Sequence, residues 1–327
     1  MERCLWLAGA GNRRTAETMR IALIANYIPD KSPSMMLYPQ MLQRLLVQCG
    51  HEVEIVHPPA VFGAWSRWRG ETAKWTGYVD KYLLAPPFLR WKVRKADLVH
   101  VCDHSNSMYL RCAGRKPKVI TCHDLIAILA AQNTYAGIRL RRTGRWQQRW
   151  IRTNLLRAPE VICVSRKTEA DLLDLGPTGN LRSRVIYHAL NRRFERAGCP
   201  ETEAVLVRLG LDANAAYFFH VSGNSFYKNR PGVARIFAEI RKKPQFASTK
   251  LIMAGKPWTP ELKALCGSLH LGSAAVEAGP VSDDELRALY TGALALLFPS
   301  REEGFGWPVL EAQACGCAVI TSNRPPM

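Results

Sequence analysis

The chain has 327 residues, 47% of them apolar, and a formal net charge of +18 from 45 Lys+Arg against 27 Asp+Glu. That length holds about two domains of ordinary size, and the composition excludes an extended disordered chain. No apolar run reaches the ~18–20 residues of a membrane-spanning helix. The ten cysteines, scattered without a CxxC pair, read as buried thiols of a reducing compartment.

In chain order, residues 1–18 read as a disordered extension: Arg3, a short apolar run over 4–10, then Arg13 and Arg14. The run is too brief for a secretory signal. Strands are predicted at 21–25, 53–57, 97–102, 118–122, 160–164 and 184–187. The clearest helices are at 38–49, closed by Gly50, and at 144–157 and 167–175. Gly198, Pro200 and Gly210 mark 195–213 as a connection. The alternation then restarts, with strands at 217–221, 250–254, 274–277, 293–298 and 318–321. Helices are expected at 231–242, 260–269, 283–290 and 307–315. Short apolar strands alternating with helices imply an α/β chain of two doubly wound parallel units, over 19–198 and 199–327. Such units bind ligands at the carboxyl ends of their strands, so the cleft between two of them is the default site.

The charge is uneven. Residues 1–198 hold 32 Lys+Arg and 15 Asp+Glu, and residues 199–327 hold 13 and 12. In the first half the cations are interleaved with tryptophans: Trp65, Arg67, Trp68 and Arg69; Arg90, Trp91, Lys92, Arg94 and Lys95; and 139–152 with Trp146 and Trp150. Such patterns suit anionic lipid headgroups, or are solvated faces over core tryptophans. A nucleic-acid backbone is the weakest of the three readings.

Most informative is the segment 298–322. A buried strand ends at Phe298, a loop carries Glu303, Gly304 and Gly306, and Pro308 suits the first turn of a helix that contains Glu311. The glycines allow close backbone approach to a ligand, and the loop and helix start offer amide donors. Both carboxylates could then face one polyhydroxylated ligand.

With Glu303-Gly304-Phe305-Gly306, Pro308-Val309-Leu310-Glu311-Ala312 and Ala314-Cys315-Gly316, this segment resembles the retaining, nucleotide-sugar-dependent glycosyltransferases of group 1, family 4. Weaker likeness lies in Gly279-Pro280-Val281-Ser282, in Val161-Ile162-Cys163-Val164-Ser165, in Thr121-Cys122-His123-Asp124 and in Tyr227-Lys228-Asn229-Arg230. The resemblance implies the GT-B fold, two Rossmann-like domains facing a cleft, the first binding acceptor and the second the nucleotide sugar. It implies transfer of a sugar to an envelope, lipid-linked or polysaccharide acceptor, with retention, without metal or other cofactor. The setting would be the cytoplasm, or the inner face of a membrane.

Carried over residue by residue, Glu303 and His123 are the catalytic candidates, Glu303 near the reacting face of the sugar and His123 contacting it across the cleft. Glu311 would grip the ribose hydroxyls, and Phe305 and Gly306 would offer backbone amides. Lys228 would neutralise the leaving diphosphate, whose charge grows in the transition state. Many members place an arginine five residues before that lysine. Here the position is Gly223, with Asn224, Ser225 and Arg230 beside it as replacements. Asp103 and His104 are acceptor-side candidates. His100, Asp103 and His104 do not make a metal site, since adjacent strand residues face opposite ways.

Two departures stand out. The family's glycine-rich first loop reads Tyr27-Ile28-Pro29-Asp30 here, and the chain ends at Met327 just after a strand. The second domain is therefore expected to be cut short. The alternatives are an inactive sugar-nucleotide-binding or membrane-docking module, or an epimerase of the same fold.

Overall fold

A computed structural model describes residues 18–30, 33–65, 71–135, 138, 140–190 and 192–327. All but Thr18 of the expected N-terminal extension lies outside the described residues, as do Arg67, Trp68, Arg69 and Arg139 of the basic stretches. The chain divides into two compact units, Met1–Ile120 and Thr121–Met327.

In the first unit, β1 (Arg20–Ile24) lies between β2 (Glu52–Val56) and β3 (Leu98–Val101), and β3 pairs with β4 (Lys118–Cys122), all parallel. Ile21, Leu23 and Ile24 are buried, as an apolar strand covered on both faces must be. Outlying β2 alternates instead, with Glu52 and Glu54 exposed, which keeps the sheet edge polar. The helix Pro33–Gln48 ends as predicted, with Gly50 at φ +88° donating to the Val47 carbonyl.

Sequence reading leaves 58–96 open between helix and loop, and the structure has helices at Phe62–Trp65, Glu71–Val79 and Ala85–Lys92, with a π-helical turn at Asp80–Leu84. Pro86 and Pro87 look like breakers, yet they occupy the first turn of Ala85–Lys92, where a missing N–H costs nothing. Buried Asp80 ties the segment down by accepting from the Tyr27 hydroxyl (2.5 Å) and the Gly63 amide (2.8 Å).

β4 ends inside the second unit, and the strand order continues there through β5 (Glu160–Cys163) and β6 (Arg182–Val185). A second sheet follows, of β7 (Tyr217–Ser222), β8 (Lys250–Gly255), β9 (Ala275–Gly279), β10 (Ala295–Phe298) and β11 (Val319–Thr321), in the order β11-β10-β7-β8-β9. Its side chains alternate between two cores. Phe219, Leu296 and Phe298 pack under the helices Cys199–Arg208, Asp283–Gly292 and Trp307–Ala314. Phe218, Ala295 and Leu297 pack under Arg230–Arg241 and Pro260–Ser268. This is the doubly wound arrangement that the sequence predicts.

The segment 195–213 is not simply a connection. It carries the helix Cys199–Arg208, with Gly198 as N-cap, Pro200 in the first turn and Gly210 at φ +72° beyond the end. The residues that read as linker punctuation are helix caps.

Candidate active site

The site candidates of the second unit lie on the loops that leave the carboxyl ends of β4, β7 and β10, or, for Arg230 and Glu311, in the helices that follow those loops. The loop after β10 is anchored along its length. The Arg301 amide donates to the Tyr227 carbonyl (2.7 Å), Asn229 Nδ2 to the Pro299 carbonyl (2.9 Å) and Ser322 Oγ to the Ser300 carbonyl (2.7 Å). Tyr227 and Asn229 flank Lys228, so the loop after β7 and the loop holding Glu303 are fixed against each other.

Lys228 Nζ reaches both carboxylate oxygens of Glu303, at 2.7 and 2.9 Å. Glu303 is buried, and the ammonium also lies over the rings of Tyr227 and Phe298, 5.5 and 5.6 Å from their centroids. Two residues predicted from separate motifs are thus one bidentate, half-buried ion pair.

Gly304 explains why a glycine follows Glu303. A Cβ there would stand 1.7 Å from the backbone carbonyl oxygen of His123. Thr168 Oγ1 donates to the Gly304 carbonyl at 3.4 Å. Next door, Glu302 pairs with Lys167 (3.1 Å), which also holds Asp171 (2.6 Å). Burial pushes the Lys167 ammonium down, but the two carboxylates outweigh it and hold it above its ordinary value. Gly306, at φ +90°, is the N-cap of Trp307–Ala314 and takes a conformation that a side chain disfavours.

His123 is buried at the end of β4, with Nδ1 3.1 Å from Nε2 of His188. His188 lies face-on to Trp307 (4.6 Å, 20°) and meets Phe305 edge-on (5.1 Å, 81°). Burial, with His123 alongside, drives the His188 imidazole down to about 3, so it is neutral. Sequence reading missed His188, although it stands just beyond β6 as His123 stands beyond β4. Trp307 stands between Gly306 and Pro308 of the motif, and its indole N–H donates to the Ala189 carbonyl (3.1 Å).

Glu311, inside its helix, is buried and accepts from the Tyr290 hydroxyl at 3.0 Å. Burial raises its carboxyl above the ordinary range, against a smaller opposite pull from Tyr290 and Arg192. The two glutamates therefore have separate partners, Lys228 and Tyr290.

Asn224 and Arg230 are placed as a brace. Buried Arg230 donates from Nη1 to Asn224 Oδ1 (2.5 Å) and to the Lys256 carbonyl (2.7 Å), and Asn224 Nδ2 donates to the Pro257 carbonyl (2.8 Å). This ties the loop after β7 to the loop after β8. In the first unit, Asp103 caps the 3-10 segment His104–Ala113, accepting from the Ser105 amide (2.8 Å) and from Asn26 Nδ2 (2.6 Å). His104 is buried beside it, its Nδ1 3.4 Å from Asp103. Among the described residues, no group of three or more metal-ligating side chains is assembled.

Comparison with known proteins adds to this geometry. The family model "Glycosyltransferase Family 4" matches residues 38–194, and "Glycosyl transferases group 1" matches 202–327. A D-inositol 3-phosphate glycosyltransferase of Acidothermus cellulolyticus is 29% identical over 52% of this chain and 40% of its own length. An O-antigen chain mannosyltransferase of Salmonella typhimurium is 26% identical over 76% of this chain and 62% of its own. The chain thus spans about half the length of these curated relatives. The structure of a sucrose-phosphate synthase from Thermosynechococcus elongatus superposes with a TM-score of 0.70 at 20% identity, covering 93% of this chain and 81% of that one, which is a likeness of fold. Two family models that follow one another along most of the chain, over the same two-sheet α/β architecture and the same strand–loop–helix motif, carry one conclusion: the chain belongs to the group 1 glycosyl transferases of glycosyltransferase family 4.

Proposed function

We propose that the protein transfers a sugar from a nucleoside-diphosphate sugar to an envelope, lipid-linked or polysaccharide acceptor, with retention of configuration and no metal. The observation that carries this reading is the Lys228–Glu303 pair at the loop ends of β7 and β10. A fixed ammonium beside a carboxylate meets the two needs of the donor, an anionic leaving group and a hydroxylated sugar. As the bond from the anomeric carbon to the diphosphate breaks, charge grows on the leaving oxygen, and Lys228 stabilises it more than in the ground state. The acceptor hydroxyl attacks the anomeric carbon on the face from which the diphosphate departs, and its proton passes to the leaving phosphate oxygen. Glu303 and His123 orient the sugar, and Glu311 takes the ribose hydroxyls. Asp103 and His104 lie on the acceptor side in this reading.

Of the two relatives, the one named for the O-antigen chain supports this acceptor class, and the other is named for an inositol phosphate. The basic-aromatic helix Arg142–Leu155 supports docking on an anionic membrane surface. Among the described residues no helix is long and apolar enough to cross a membrane.

The test is incubation of the protein with a panel of nucleotide sugars, following transfer and slow donor hydrolysis. Either activity supports the reading. Donor binding by calorimetry with neither activity would replace it with a binding module, and an isomerised donor would indicate an epimerase.

A further inference from the structure

The contact between His123 and His188 has a geometry of its own. Their facing nitrogens are 3.1 Å apart, their ring centroids 5.1 Å, and their planes differ by 25°. Two imidazoles joined by a roughly coplanar N–H···N bond have about that centroid spacing, whereas face-stacked rings would not bring single nitrogens together as the nearest polar atoms. The pair is therefore hydrogen-bonded edge to edge. His188 is itself immobile. Trp307 lies flat against it, Phe305 stands on its edge, and the indole is pinned to the Ala189 carbonyl. His123 is held from its backbone too, because Gly304 packs directly against its carbonyl.

We propose that His188 is a positioning residue for His123, sharing one proton with its Nδ1, fixing the ring's plane and tautomer, and leaving Nε2 as the atom that meets the donor sugar. This rests on the transfer reading above and adds to it a residue and an atom. With one proton in the contact, one of the facing nitrogens donates and the other accepts. Burial and His123 keep the His188 imidazole neutral, pushed down to about 3. A neutral acceptor or donor at Nδ1 sets which nitrogen of His123 carries a hydrogen. A ring held this way presents Nε2 without reorganisation when substrate arrives.

The test combines a spectroscopic readout with kinetics on the full chain. Ring-15N-labelled protein should show a coupling across the hydrogen bond between His123 Nδ1 and His188 Nε2. His188→Phe keeps a flat ring against Trp307 and removes the nitrogen. It should shift the His123 ring-15N pattern and lower kcat by about 10- to 100-fold, with KM for the donor within about threefold. His188→Asn, which restores a polar tip, should recover part of kcat. Absence of the coupling in the wild type would overturn the proposal, as would a His188→Phe protein with wild-type kcat or an unchanged His123 spectrum. If the wild type transfers sugar from no donor, the transfer reading fails, while the coupling still decides whether His188 holds His123.

Discussion

Lys228 and Glu303 neutralise each other through both carboxylate oxygens, at 2.7 and 2.9 Å, with 21% and 9% of their side-chain surfaces exposed. On the proposed transfer reading, the lysine is already paired before donor binds and is then shared with the diphosphate. The two residues should consequently behave differently when removed. Lys228→Ala should weaken nucleoside-diphosphate binding by about 10- to 100-fold, the worth of a charge-assisted hydrogen bond, and lower turnover with it. Glu303→Gln leaves the cation in place without its competitor. It should bind the nucleoside diphosphate at least as tightly as the wild type, yet lose about 100- to 1,000-fold in kcat. Calorimetry with the diphosphate and initial rates with the donor separate the two. A Glu303→Gln protein with full activity would remove Glu303 from the site.

Gly304→Ala tests the close approach to His123. The added Cβ would lie 1.7 Å from the His123 carbonyl oxygen and 2.8 Å from its carbon. Neither is the flexible tip of a side chain, so backbone has to move. Overpacking of this kind costs about 1–3 kcal/mol, which a urea unfolding curve reads directly. Activity should fall further than that loss of stability alone would cause, since the displaced residues are Glu303's neighbour and His123. A variant with wild-type stability would show that the loop is looser than this contact implies.

The buried histidines set the acid limb of stability. His188 is pushed from an ordinary 6.5 down to about 3, and His220 to about 4, in both cases mainly by burial. His220 is enclosed, with Nδ1 on the Leu297 carbonyl and Nε2 on Ser222 Oγ, each at 2.8 Å. The unfolded chain binds these protons near pH 6.5 and the folded chain does not. Their contribution is therefore complete above about pH 6.5 and is lost as pH falls toward the native values. The slope is about 1.4 kcal/mol per pH unit for each histidine. Urea midpoints between pH 7 and pH 4 should fall accordingly, and His188→Phe should reduce the slope. An identical slope in that variant would mean that His188 is protonated in the folded chain.

Glu311 acts with the opposite sign. Its native carboxyl is held above the ordinary range by burial, so the folded chain keeps that proton longer than the unfolded one. Its contribution is present at low pH and is lost as pH rises through the ordinary carboxylate range toward the raised native value. Glu311→Gln, which cannot ionise, should be at least as stable as the wild type at pH 7 and should weaken donor binding. A variant that is markedly less stable at pH 7 would show that the carboxylate is stabilised in place, by Tyr290 and Arg192, beyond what its burial costs.

All eleven strands among the described residues were legible in the sequence, the central ones as short buried apolar runs such as 21–24 and 295–298, whereas β6, with two arginines in four residues, overlaps its predicted run only at 184–185. The helices Ala85–Lys92 and Cys199–Arg208 were not legible, because prolines in a first turn and glycines at an end carry the same letters as a loop. The site divides in the same way. Glu303, Gly304 and Gly306 sit in a contiguous motif, and their neighbours along the chain announce them. His188 lies 65 residues from His123, and Tyr290 lies 21 from Glu311. No spacing rule joins such pairs. Only the folded backbone does. For Asn224 and Arg230, suggested as replacements for the arginine that the family places at Gly223, the structure adds what no spacing predicts, a guanidinium that spans two loop ends.

The helix Arg142–Leu155 carries no acidic residue, and the buried side chains on it are Ile151, Asn154 and Leu155. Arg142, Arg145 and Arg149 are exposed, and Trp146, 66% exposed, stacks on Trp150 at 5.9 Å. A core role for Trp146 is thereby excluded, which leaves a solvated face or a docking face. The two differ in how they respond to charge. If the face docks on anionic lipid, co-sedimentation with vesicles containing phosphatidylserine should fall steeply between 0.05 and 0.5 M salt, on the order of the range over which screening shortens from ~14 to ~4 Å. Uncharged vesicles should bind little. Trp146→Ala together with Arg149→Ala should weaken binding by about tenfold, given ~1 kcal/mol for each basic residue at such a surface plus the lost indole. Neither side chain is placed at the donor site, so turnover of a soluble acceptor analogue should be unchanged. Equal binding to anionic and uncharged vesicles would make this helix an ordinary solvated face, and the excess positive charge of the first 198 residues would then need another partner.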